Sequence, residues 1–208
     1  MKTFYTIITA LVAFLAVCIL GSAFLVSIDP QYVWYLARAS GITAYLMLFL
    51  LTMTGMGLTS GFIYNLFGPV FSWRLHRTYG ITLVAAILIH LITLLYDTTV
   101  KFSLADIFIP FYAQFQPLYL SLGIIGFYLI IIVILTSITL IVKKYKAWRW
   151  IHYLSFPAYI MLFLHGVLIG TDSNNPLMTF TYWATGILFL AALVYRLGVH
   201  TKNSSQTA

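Results

Sequence analysis

Hydrophobic positions in this chain neither alternate nor fall into a narrow helical stripe; they arrive in unbroken runs separated by short polar connections. Runs lie near Phe4–Ser27, Ser40–Ser60, His76–Tyr96, Pro117–Val142, Ile151–Gly170 and Pro176–Leu197. Each is about 20 residues or longer, enough for a helix to cross a hydrocarbon core of about 30 Å. Within lipid only a helix or a closed barrel satisfies its own backbone, and runs this long and this apolar specify helices. The expected fold is therefore an all-α membrane protein, a six-helix transmembrane bundle. The six runs and their loops occupy nearly the whole chain, so residues 1–200 are read as one transmembrane domain. Residues 201–208, "TKNSSQTA", are read as a disordered polar tail.

Composition sharpens this picture. Hydrophobic residues make up 62% of the chain and charged residues 7%, with a mean hydropathy of +0.99, whereas about a quarter of residues are charged in soluble domains. A net charge of +7 raises the question of nucleic acid, but the basic residues flank apolar runs instead of forming a patch interleaved with polar sequence. No nucleic-acid partner is expected, and membrane lipid is. With both termini cytoplasmic, the inner side holds Lys2, Arg74, Arg77, Lys143, Lys144, Lys146, Arg149, Arg196 and Lys202, and the outer side only Arg38 and Lys101. Lysine and arginine bias sets orientation in this way. Asp29, Asp97, Asp106 and Asp172 all fall on the outer side of the same arrangement. The first run has a lysine near its start, like a signal peptide, but its apolar stretch is too long and its cleavage site too weak, so it is read as a retained helix. Cys18 has no partner for an internal disulfide and is read as a small packing residue.

Candidate chemistry rests on histidine. His76 and His90 lie on the third run and its entrance, and His152 and His165 on the fifth. Ionisable groups inside membrane helices are costly and usually face the bundle interior in a functional role. Because the third and fifth helices run the same way, His76 and His152 share one depth, and His90 and His165 share another about 20 Å away. Two levels with one imidazole from each helix is an arrangement suited to two stacked b-type haems, each with histidine on both axial positions. The 14-residue step from His76 to His90 returns within roughly 40° of the same face, but the 13-residue step from His152 to His165 misses by about 140° on an ideal helix. Pro157 lies between them and can kink or rewind the helix.

Neighbouring residues agree with the haem reading. Gly80 follows His76 by one turn and Gly166 follows His165 directly; small residues let a flat macrocycle approach the backbone. Arg74, Arg77, Arg149 and Lys146 sit at the inner level, either as propionate partners or as ordinary positive-inside anchors. Trp73, Trp148 and Trp150 read as interfacial belt residues, and His200 as a solvated tail residue. Iron filled on both axial sides favours outer-sphere electron transfer over binding of substrate at the metal.

"LHRTYGITLVAAILIH" followed by "WRWIHYLSFPAYIMLFLH" resembles the ferric reductase-like transmembrane domain, the haem core shared by ferric reductases and NADPH oxidases. Within that group, "YLSLGIIGFYLIIIVILTS" before "KKYKAWRWIHYLSF" is similar to the haem-bearing membrane subunit of the bacterial periplasmic methionine sulfoxide reductase system. The resemblance implies a multi-pass protein of the bacterial plasma membrane that binds haem b through His76, His90, His152 and His165. His76 departs from the narrower subunit, whose motif carries an arginine there; two haems are expected, and a one-haem protein would lack the His76/His152 level.

The function expected is transmembrane electron transfer, making the chain the haem-binding membrane component of an oxidoreductase. Electrons come from a cytoplasmic-side flavin reductase or from quinol and go to an outer redox protein or small oxidant. No Gly-rich dinucleotide fingerprint follows a strand in the chain. A different class of reading is a transporter or proton-conducting bundle using the histidines as relays, against which no carboxylate lies within any run. A structural assembly subunit with packing histidines would make the matched depths a coincidence.

Overall fold

The computed structural model describes residues 25–27 and 29–205, with side chains as far as Gly198. Among the described residues the regular structure is helical, with no strand. The elements are α1 (Pro30–Ser60), α2 (Phe62–Phe67), α3 (Pro69–Tyr96), α4 (Leu104–Phe108), α5 (Pro117–Thr139), α6 (Tyr145–His152), α7 (Ser155–Ile169) and α8 (Pro176–Ser205). Five stretches are long and apolar enough to cross a membrane: Pro30–Ser60, Pro69–Tyr96, Pro117–Thr139, Tyr145–Ile169 and Pro176–Gly198. They correspond to the second through sixth runs of the sequence. The first run, with its signal-peptide question and Cys18, lies outside the described residues apart from the helical stretch at 25–27.

Proline opens the longest helices. Pro30, Pro69, Pro117 and Pro176 each occupy the first turn, where a missing N–H costs nothing and a fixed φ is already helical. Asp29 caps α1 by accepting from Gln31 N at 2.8 Å, and Asn175 accepts from Leu177 N at 2.9 Å at the start of α8. Consequently α1 begins at Pro30 instead of Ser40, and α3 at Pro69 instead of His76. Both helices carry polar and aromatic first turns that hydropathy alone does not score as membrane. At the other end of the chain, α8 stays helical to Ser205, into the stretch read as a polar tail.

The fifth run is two helices. Pro157 cannot donate to the Tyr153 carbonyl, and its ring crowds that carbonyl; the break falls there, at Tyr153 and Leu154. The chain turns through tight three-residue bonds, Tyr153 N to Trp150 O at 3.3 Å, Leu154 N to Ile151 O at 2.9 Å and Phe156 N to Tyr153 O at 3.1 Å. Three-residue bonds advance each step by about 120° instead of about 100°, which rotates His152 toward the face that His165 occupies.

Helix α1 packs along α3 and α5 along α7, forming two antiparallel hairpins, with α1 also touching α7 and α8. Their shared core draws on every span: Leu48 and Met56 from α1, Leu83 from α3, Ile130 from α5, Ala158 and Tyr159 from α7, and Phe189 from α8. Tyr159 stacks on Phe189 with ring centres 4.2 Å apart. The hydroxyls buried here are partnered: Tyr45 with Thr185 Oγ1, Tyr159 donating to Thr185 O at 3.5 Å and Tyr182 to Gly166 O at 3.1 Å. Small residues and aromatic faces thus do the packing that lipid, itself apolar, cannot drive.

Candidate functional site

The hairpins bring the four histidines together as two pairs. The His76 and His152 rings lie with centres 6.5 Å apart and planes inclined by 51°. Trp148 flanks His152 at 5.0 Å and Trp73 meets His76 edge-on at 6.3 Å. About four turns along the bundle, His90 and His165 line one cavity of about 270 Å³. Among the described residues no three His, Cys, Asp or Glu side chains group closely enough to hold a bare metal ion. The histidines instead offer two ligands per level.

Every one of the four rings is oriented through Nδ1. His90 Nδ1 lies 2.8 Å from the Ala37 carbonyl and His165 Nδ1 2.9 Å from the Tyr119 carbonyl. A carbonyl only accepts, so both rings carry their proton on Nδ1. His76 Nδ1 lies 3.3 Å from Thr54 Oγ1, whose own proton goes to Leu50 O at 2.8 Å and Leu51 O at 2.9 Å; the Leu51 carbonyl also partners the ring. His152 Nδ1 lies 3.3 Å from Ser137 Oγ, which donates to Val133 O at 2.7 Å. With those hydroxyl protons committed elsewhere, the inner rings donate as well. All four Nε2 lone pairs are thereby left free to ligate a metal.

Glycine makes room for three of the rings. A Cβ on Gly41 would lie 3.1 Å from the His90 ring, one on Gly55 3.2 Å from His76, and one on Gly123 only 2.6 Å from His165. In each case the near edge of the ring is Cε1 and Nδ1, so the glycine lets the ring reach the backbone acceptor beside it. Gly80 faces Leu51 at 3.8 Å, and Gly166 packs against the Tyr182 hydroxyl at 3.3 Å; the contacts that seat the rings come from the neighbouring helices.

The His90/His165 cavity reaches Trp34, Arg38, Asp97 and Asp172 at one end of the bundle. Arg38 Nε donates to Asp172 Oδ2 at 2.8 Å, its Nη2 pairs with Oδ1, and the guanidinium stacks over Trp34 at 4.0 Å. This is the one salt bridge among the described residues, and the guanidinium holds the Asp172 carboxyl below its ordinary range. Asp97 is buried and accepts from Thr99 N at 2.7 Å.

Of the arginines singled out in the sequence, Arg74 and Arg77 are exposed on α3 and make no hydrogen bond or ion pair among the described residues. Arg149, also exposed, donates to the Tyr153 hydroxyl at 3.1 Å. Sequence reasoning passed over Arg196, half-buried on α8, whose guanidinium lies 5.5 Å from the Tyr153 ring and 5.3 Å from that of Phe156 and whose charge reaches His152. It also passed over Gly41, Gly55, Gly123, Thr54 and Ser137, which sit on different helices from the rings they serve.

These features define a helical membrane protein with paired, oriented histidines at two levels. Residues 70–163 match the family described as ferric reductase like transmembrane component, so this stretch is similar to a ferric reductase-like transmembrane domain. Domains of this kind serve transmembrane electron transfer and generally bind haem. No curated protein and no solved structure matches the chain.

Proposed function

We propose that this chain is a di-haem b protein that carries electrons across the membrane, with His76 and His152 holding one haem and His90 and His165 the other. The observation that carries the reading is the state of the four imidazoles: each Nδ1 lies against an oxygen, no Nε2 hydrogen bond occurs among the described residues, the His76 and His152 rings are neighbours, and His90 and His165 line one cavity. Two imidazoles bound at about 2 Å on opposite sides of one metal have ring centres roughly 6 Å apart, close to the 6.5 Å between His76 and His152. Two protein ligands per level suit a macrocycle that brings its own four. When bound, haem would supply a one-electron couple, and the four histidines would hold it.

The chain's own residues hold and insulate that couple. Carbonyls and hydroxyls on α1 and α5 fix the tautomer and the ring angle, glycines admit the rings, and the Tyr159–Phe189 core keeps water from the middle of the bundle. With the basic residues facing the cytoplasm, His76 and His152 lie at the inner side, where a flavin reductase or quinol delivers electrons. Arg149 and Arg196 stand beside that level for the propionates. His90 and His165 then serve an outer redox protein or small oxidant, in a bacterial plasma membrane.

A dithionite-reduced minus oxidised spectrum of the detergent-purified protein, with haem counted per chain, tests this. The expected result is a low-spin b-type spectrum with about two haems per chain. A protein that stays colourless after haem supplementation rules it out and brings the proton-relay reading forward.

A further inference from the structure

The four ring acceptors follow one design with a single departure. On α1 and α5, Ala37 precedes Gly41, Leu51 precedes Gly55 and Tyr119 precedes Gly123, each by one helical turn. In all three, the earlier residue's carbonyl partners the histidine whose edge the glycine admits. The fourth position of the pattern is Val133 followed by Ser137. There the Ser137 hydroxyl takes the Val133 carbonyl for itself at 2.7 Å and offers His152 its own oxygen at 3.3 Å. That oxygen is already occupied by Trp148, whose Nε1–H donates to it at 3.1 Å.

We propose that Ser137 is a positioning residue that weakens the hydrogen bond on His152, and so gives the His76/His152 level the higher reduction potential of the two. This rests on the haem reading above. A strong acceptor on Nδ1–H makes an imidazole a more basic ligand, which favours the ferric state and lowers the potential. His90 and His165 both donate to carbonyls at 2.8 and 2.9 Å. His152 donates at 3.3 Å to a hydroxyl shared with an indole N–H, whereas His76 at the same level keeps the Leu51 carbonyl beside the Thr54 hydroxyl. The one ring without a carbonyl acceptor therefore belongs to the His76/His152 level.

The test is a spectroelectrochemical titration of the purified haem-loaded protein, with electron paramagnetic resonance of the ferric signals, for wild type, Ser137→Gly and Trp148→Phe. Two waves are expected in the wild type, and His165→Ala should retain the upper one. Ser137→Gly frees the Val133 carbonyl for His152, as at the other three sites, so the upper wave and its resonance signal move down while the lower wave stays. Trp148→Phe removes the competing donor and moves the same wave in the same direction by less, and it carries the test should the glycine variant fail to load. A single unsplit wave in the wild type overturns the proposal, as does an upper wave that neither variant moves. Wild-type protein without haem instead overturns the reading beneath it, before any variant is made.

Discussion

Gly123 sits so close to His165 that one methyl group has no place to go. A Cβ there would stand 2.6 Å from Cε1 and Nδ1, and at Gly41 the corresponding approach to His90 is 3.1 Å. The first contact requires the ring to move and break its bond to the Tyr119 carbonyl, whereas the second needs a few tenths of an ångström. Gly123→Ala should therefore lose about half of the haem, that of the His90/His165 level, and Gly41→Ala much less; pyridine haemochrome per chain measures both. Equal haem in the two variants would refute the cradle. Alanine at His90 or His165 should likewise lose the outer haem and alanine at His76 or His152 mainly disturb the inner one, and unchanged spectra in all four variants would refute the ligand assignment. The histidines were legible in the sequence because a titratable group inside an apolar run has few other uses. Their cradles were not, because a glycine in a membrane helix is common and only its distance to a ring on another helix sets it apart. One trace was present: Gly41 and Gly55 repeat at the spacing of His76 and His90, as antiparallel partners must.

Helix boundaries were legible where a proline coincided with the apolar run and misplaced where it did not. Pro117 and Pro176 open α5 and α8 as expected, but Pro30 and Pro69 precede turns containing Tyr32, Tyr35, Arg38 and Arg74, which hydropathy discounts and a helix extending past the hydrocarbon accommodates. The 13-residue histidine step posed the opposite problem, since an ideal helix would point the rings apart by about 140°. Pro157 accounts for part of the correction through the turn at Tyr153 and Leu154, although its position one turn further on did not reveal where the break would fall. Pro157→Ala restores a donor to the Tyr153 carbonyl and lets α6 and α7 run together, turning His152 away from His76. We expect a small gain in helical circular dichroism with a loss of the inner haem, while the His90/His165 haem is retained. A variant that keeps both haems with unaltered spectra would show that the azimuth is set by packing instead of by the proline.

Across the whole molecule, one ion pair joins the start of the described chain to its last loop. Arg38 on α1 and Asp172 between α7 and α8 are 134 positions apart and meet at the mouth of the His90/His165 cavity, closing the bundle at the end where all four acids lie. Their side chains retain 30% and 16% of their exposure, so solvent screens the pair and its contribution is about 1 kcal/mol, or roughly 3 °C in melting temperature for a domain this size. Asp172 is held below its ordinary value first by the hydrogen bond from Arg38. A folded-state value lower than the unfolded one means that the unfolded chain takes up protons first as the pH drops. The stabilisation is thus fully present above about pH 4, the ordinary aspartate value, and disappears as the pH falls through the lowered folded one. Asp172→Asn should melt earlier than wild type at pH 7 by that margin, and the two curves should converge in strong acid. A gap that persists unchanged well below pH 4 would mean that the amide in the variant disturbs the loop itself and that the charge on Asp172 is not what ties α1 to the far end of the chain.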